Sequence, residues 1–269
     1  MRPAIFMIHG MWAGPWVWDQ FVPFFSERGY HCVAPALRYH DVPPGQPPAQ
    51  LGRVSLLDYA ADLQAELDEV AGLPVLMGHS MGGMLAQMLA ARRPARALVL
   101  LSPMPPQGIN VLSRASLRMF RTTLVRWGFW RRPARPAFPD AAAAMLAELP
   151  PGDRRAIYDR LVCESGRAAC ETGFWFADPH RAKYVDTSQI TVPVLIVAGG
   201  RDLLHPPAMM RQVAERYAPH STYKEFPGSG HWLTGEPGWP GIAGYVASWL
   251  GQLEPAIPHQ AGPSKAPVP

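Results

Sequence analysis

A chain of 269 residues with 48% apolar content can bury one large core, and 31 Pro with 24 Gly make it loop-rich rather than unfolded. Charged residues are only 17%, and the formal net charge of +4 comes from one stretch, since seven Arg and no acidic residue lie between Arg114 and Arg135. No recognised nucleic-acid-binding module accompanies those arginines, so a nucleic-acid partner is not expected.

Taken in chain order, short apolar runs alternate with helical spacing. AIFMIH (4–9) predicts a first strand, and the apolar spacing over 15–28 a helix. HCVAPA (31–36) predicts a second strand and 55–71 a second helix. PVLMGH (74–79) is followed directly by a helical pattern over 81–92, and ALVLLS (97–102) reads as a fourth strand. VPVLIVAG (192–199), a helix over 207–217, TYKEF (222–226) and a helix over 241–250 complete the series. The middle runs are apolar on both faces, as central parallel strands are when helices cover each side. An α/β fold with a mostly parallel sheet of about six strands follows.

The stretch 103–190 interrupts this alternation with a Pro-rich start, then Arg interleaved with Leu, Phe and Trp, then an Ala-rich helical pattern over 140–149. It returns straight into a sheet strand, so it reads as a cap inserted into a core formed by 1–102 and 191–253. The tail, 254–269, has five Pro and no period, and is expected to be disordered. No run of about 18 uncharged apolar residues and no cleavable apolar leader occurs, which predicts a soluble, cytoplasmic protein. Cys32, Cys163 and Cys170 are too few for a disulfide framework and leave one Cys163–Cys170 bridge open. No His, Cys or carboxylate cluster has metal-ligand spacing, and no cofactor is expected.

The most informative stretch is LMGHSMGGMLAQM (76–88), where a lone Ser80 stands between Gly78 and Gly82 at the junction of strand and helix. Bare G-x-S-x-G arises by chance in roughly one chain in ten of this length, so its context carries the weight. An abrupt strand-to-helix turn strains the serine backbone and needs flanking glycines to avoid collisions, and it leaves the hydroxyl at a helix N-terminus. A serine is a weak nucleophile and needs a base oriented by a third group. Asp202 follows one predicted strand and His231 the next, giving the chain order Ser80, Asp202, His231.

The four stretches IHG (8–10), GHSMGG (78–83), VAGGRD (197–202) and GSGHW (228–232) resemble the α/β-hydrolase superfamily in its serine-esterase and lipase-like branch. The resemblance covers roughly 4–102 and 191–250 and implies Ser80 as nucleophile, His231 as general base and Asp202 as the residue orienting it. It also implies an oxyanion hole from the N–H groups of Met81 and Met11, with Trp12 the second choice for the latter. It assigns His9 to holding its loop. Relatives commonly begin with an antiparallel hairpin that this chain lacks, so a shortened sheet is expected.

Each residue also has a plainer reading. Asp202 could cap the helix at 207–217 or pair with Arg201, His231 could be a surface histidine, and His205 could compete as base. Trp16 is expected in the core, while Trp12 and His79 are candidates for touching substrate. The Arg114–Arg135 stretch is read first as an amphipathic cap helix with solvated arginines. Its sharper readings are recognition of an anionic acyl carrier and docking on an anionic membrane surface. The leading function is hydrolysis of a small-molecule ester with an apolar acyl or aryl group through an acyl-enzyme. The alternatives are an acyl-thioesterase, a lyase or perhydrolase on the same fold, and a non-catalytic ligand-binding protein.

Overall fold

A computed structural model describes residues 2–253 of the protein; the tail expected to be disordered lies outside the described residues. The strands are β1 (Ala4–Ile8), β2 (His31–Val33), β3 (Val75–His79), β4 (Ala97–Leu101), β5 (Val194–Gly199) and β6 (Ser221–Phe226). They form one six-stranded sheet in the order β2-β1-β3-β4-β5-β6, parallel throughout. Every residue of β1, β3, β4 and β5 is buried, as expected for strands covered on both faces, whereas β2 and β6 are only partly covered at the edges. Each such Leu, Ile or Val contributes roughly 1.5–3 kcal/mol by leaving water, which holds the middle of the sheet together.

The covering helices in the first half are α1 (Phe21–Ser26), α2 (Leu56–Asp68) and α3 (Met81–Ala90). Between β4 and β5 come α4 (Arg114–Leu124), α5 (Phe138–Ala144), α6 (Pro151–Arg160) and α7 (Gly166–Gly173), and α8 (Pro207–Arg216) and α9 (Trp239–Gln252) follow β5 and β6. Two predicted elements are cut short by proline, and the Ala-rich helix expected over 140–149 stops at Ala144. The helix over 15–28 splits into a 3-10 turn, Pro15–Trp18, and α1, because the Pro23 ring excludes the residue 19 carbonyl that a continuous helix would bring there. The second strand stops at Val33, two residues ahead of Pro35, which has no N–H to donate to a ladder. The helix expected over 241–250 begins earlier, at Trp239, because Pro240 suits its first turn.

Chain direction sets the site. From β2 the chain crosses back over β1 to build the rest of the sheet on the other side, so the strand order reverses between β1 and β3. Ligands in open α/β sheets bind at such a reversal, beyond the carboxyl ends of the strands. Register completes the placement: Ile8 pairs with Gly78 and His79 with Leu101, so the loops after β1, β3 and β4 leave the sheet side by side.

One buried charge stands apart. Lys183 is fully buried, its Nζ makes a single 3.5 Å bond to the Thr172 carbonyl, and burial lowers its pKa to about 7. A lysine depressed this far costs the fold most below about pH 7, where the unfolded chain holds a proton that the folded site resists. The cost fades as pH rises toward the ordinary value near 10.4. Lys183→Met is therefore expected to raise stability by on the order of 2 kcal/mol at pH 6 and to flatten the gain the wild type shows between about pH 7 and 10. Urea unfolding across that range checks it.

Candidate active site

The site begins with a strained backbone. Ser80 joins β3 to α3 with φ 54° and ψ −121°, a region non-glycine residues avoid and that costs on the order of 1–3 kcal/mol. The flanking glycines follow from the same geometry. A methyl at Gly78 would overlap the Gly82 carbonyl, and one at Gly82 would overlap the carbonyls of Ile8 and His9. Backbone bonds hold the turn: the Ser80 N–H donates to the Leu101 carbonyl at 3.1 Å, and the Ser80 carbonyl accepts from Gly83, Met84 and Met104. α3 behind it is buried along its whole length, so the turn rests on a rigid element.

The three residues drawn from strand ends meet. His231 Nε2 lies 3.1 Å from Ser80 Oγ, and His231 Nδ1 lies 2.8 Å from Asp202 Oδ2. Asp202 has no other task of the kind considered from sequence, since α8 has Pro206 as its N-cap with no side-chain cap and Arg201 pairs with Glu148. Its second oxygen accepts the N–H groups of Leu204 and His205 at 2.8 and 2.9 Å. Burial alone would raise the Asp202 carboxyl. The His231 imidazole beside it and these hydrogen bonds outweigh that cost and hold it well below the usual carboxylate range.

Around this relay the other histidines are held neutral. His205 Nδ1 donates to the Ser102 carbonyl at 2.8 Å and the ring lies edge-on to His231 at 4.9 Å, so it is a wall rather than a rival on the serine. Burial, with the His231 charge second, lowers it to about 4. His79 Nε2 meets the His231 carbonyl at 2.8 Å, and burial followed by His231 lowers it to about 3. Asp202, His205 and His231 place donor atoms within 4.8 Å of one another, a cluster that linear spacing did not reveal. Both His231 nitrogens, both Asp202 oxygens and His205 Nδ1 are already taken by the hydrogen bonds described, which makes the cluster a hydrogen-bond relay.

The loop after β1 brings the candidate anion donors. Gly10 lies so close that a methyl there would sit 2.9 Å from Ser80 Cβ. His9 spans the loop, its Nε2 accepting the Leu37 N–H at 3.1 Å and its Nδ1 lying 2.9 Å from the Gly10 carbonyl, which is the structural task expected of it. Met11 lines the cavity beside Ser80; Met81 is buried in α3, its backbone N–H lying in the unpaired first turn of that helix. Trp12 takes a left-handed φ of 62° and lines the cavity, as does His79. Trp16 stacks on Trp232 at 5.8 Å with the Arg160 guanidinium over its face, so it packs as expected but stays partly exposed.

Several supporting residues escaped the sequence reading. Glu236 accepts the N–H groups of Gly230 at 2.7 Å and Trp232 at 2.9 Å, clamping both sides of His231. Burial pushes its carboxyl up, and those two donors pull against it. The Val162 N–H donates to the Trp12 carbonyl at 2.8 Å and Trp12 Nε1 to the Ala134 carbonyl at 3.1 Å, so the stretch between β4 and β5 holds the loop after β1. That stretch is tied down in turn by buried Glu164, which accepts from Tyr59 at 2.7 Å and meets His40 Nε2 at 3.2 Å. The cysteines, by contrast, are all unpaired.

Above Ser80 lies a cavity. Its floor is Gly10, Ser80 and His231, and its walls are apolar side chains such as Val111, Phe120, Met145 and Phe174 from between β4 and β5. A concave apolar space with a few convergent polar groups suits one small organic molecule. Ser80 Oγ and the His231 imidazole stand on that floor, with the Asp202 carboxylate behind the imidazole and the Met11 and Met81 amides as candidate donors. That set can perform acyl transfer.

Comparison with known proteins agrees with this architecture. The chain is 25% identical over 241 residues, 86% of its length and 76% of the relative's, to the sn-1-specific diacylglycerol lipase ABHD11 of Mus musculus. Among solved structures it superposes with a TM-score of 0.70 on a methylesterase from Arabidopsis, 14% identical, covering 93% of this chain and 99% of the other. With a pyrethroid hydrolase from Sphingobium faniae JZ-2 the TM-score is 0.68 at 18% identity, covering 93% and 97%. A family model described as the Alpha/beta hydrolase family matches residues 5–239, from β1 into α9, and the chain therefore belongs to that family.

Proposed function

We propose that this chain is a serine hydrolase cleaving carboxylic esters of an apolar acyl or aryl group. One observation carries the reading: a serine on a strained turn, 3.1 Å from an imidazole that a buried carboxylate orients, opens into an apolar cavity. In this reading Ser80 Oγ attacks the ester carbonyl while His231 Nε2 takes its proton. The N–H groups of Met81 and Met11 receive the oxyanion, and the leaving alcohol departs with the proton returned by His231. Water, activated by the same imidazole, attacks the acyl-enzyme and releases the acid. Residues 1–102 and 191–253 serve as the hydrolase core and 103–190 as a cap supplying the cavity walls.

The lipase, methylesterase and pyrethroid hydrolase among the similar proteins support ester chemistry as the class. The cavity supports its apolar side. In a series of p-nitrophenyl esters of increasing chain length, kcat/KM is expected to rise at least about tenfold from acetate to a medium-length acyl group, since each buried methylene is worth about 0.8 kcal/mol. An acyl-thioester of the same chain serves as the comparison. A flat profile, or a thioester turned over faster than its oxyester, would overturn the substrate assignment.

A further inference from the structure

The Arg114–Arg135 stretch is not absorbed by the active site. Arg118 and Arg121 both reach the buried Asp140, and Arg135 donates to the Leu161 carbonyl with its guanidinium over Tyr158. Arg114, Arg126, Arg131 and Arg132 are exposed and have no acidic partner among the described residues. Between them stand Val125 and Trp127, 82% and 87% exposed.

Ring contacts extend this patch. Trp127 packs on Trp130 at 5.2 Å, Trp130 on Phe129 at 5.4 Å, Phe129 on Phe174 at 6.4 Å, and Phe174 on Phe176 at 6.3 Å. The series ends at Phe176, 66% exposed, and its middle members Phe129 and Phe174 are walls of the cavity over Ser80. Leu117 is both 48% exposed and a cavity wall. Two exposed apolar tips from separate stretches of chain thus flank the substrate cavity, and unpaired guanidinium groups surround one of them.

We infer that this rim docks on an anionic lipid surface and that the cavity receives its ester from that surface. Large apolar side chains left in water around a cavity mark an interaction site. Trp127 and Trp130 suit the boundary between headgroups and acyl chains, where an indole keeps its ring dry and its N–H wet. The four unpaired guanidinium groups match lipid phosphates in charge and in fork geometry. An acidic carrier protein would satisfy the arginines but not the protruding Val125, Trp127 and Phe176, which call for an apolar phase. The delivery half rests on the ester-hydrolase reading; the docking half does not.

The test is sedimentation of the full chain with vesicles of phosphatidylglycerol or of phosphatidylcholine alone. Binding to the first and little to the second is expected. The triple variant Arg126→Ser/Arg131→Ser/Arg132→Ser should lower the partition about 100-fold, at about fivefold per arginine. Trp127→Ser/Phe176→Ser should lower it at least about tenfold. Both variants should hydrolyse p-nitrophenyl acetate in free solution like the wild type and unfold at the same temperature. Sedimentation with neither vesicle, binding that the substitutions leave unchanged, or capture by an acidic acyl carrier protein without vesicle binding would overturn the inference. Docking without hydrolysis of any ester would leave the docking half standing and sink the Ser80 reading together with the delivery half.

Discussion

Ser80→Ala is expected to lower kcat for p-nitrophenyl butyrate by about 10⁶-fold while leaving KM and the unfolding midpoint nearly unchanged. The size follows from the role. Without Oγ no acyl-enzyme forms, and His231 loses the proton it is positioned to take at 3.1 Å. The amides and the cavity remain, so a residual rate of about 10³ to 10⁴ over water survives from oxyanion binding alone. The backbone should keep its shape, because the turn is held by the bonds of the Ser80 N–H and carbonyl and by the glycines, not by the hydroxyl. Steady-state kinetics with active-site titration checks both halves, and a loss below about tenfold would remove Ser80 from the chemistry.

Asp202→Asn should cost about 10⁴-fold in kcat with little change in KM. Asp202 is ionised through the whole neutral range, because His231 and two backbone donors hold its carboxyl well below the usual value despite full burial. The carboxylate therefore accepts the Nδ1 proton of His231 and leaves Nε2 bare to receive one from Ser80. An amide turning its NH₂ toward Nδ1 would reverse the tautomer and put the proton on the wrong nitrogen. Because the carboxylate is charged only in the wild type, the variant also loses stabilisation of the imidazolium as it forms. The deficit is expected to shrink at high pH, where hydroxide can replace the missing base. A variant retaining more than a tenth of wild-type kcat would show that Asp202 merely braces its loop.

How much of this was legible in advance depends on how local each cause is. Gly78, Ser80 and Gly82 could be read because the junction of β3 and α3 is a steric problem within five residues. Asp202 and His231 could be read because strand ends in a parallel sheet share one edge. The break in the helix over 15–28 was also written locally, in Pro23. The cavity walls were not: Val111, Phe120, Met145 and Phe174 meet only after the stretch between β4 and β5 folds back over the sheet, and no period in the chain announces that. Glu236 and Glu164 escaped for a related reason. Their partners are N–H groups, a hydroxyl and an imidazole whose positions depend on loop paths. Asp140 altered the reading of the arginines in the same way, by burying a carboxylate under Arg118 and Arg121 from 19 or more residues away.

The central claim is that Ser80 is a nucleophile activated by His231, and covalent labelling tests it most directly. A fluorophosphonate probe reacts only with a serine whose proton can be withdrawn, so intact-mass analysis should find one adduct on the wild-type protein and peptide mapping should put it on Ser80. Ser80→Ala should take up none. An unlabelled wild type, or a Ser80→Ala protein labelled as fully as the wild type, would contradict the account.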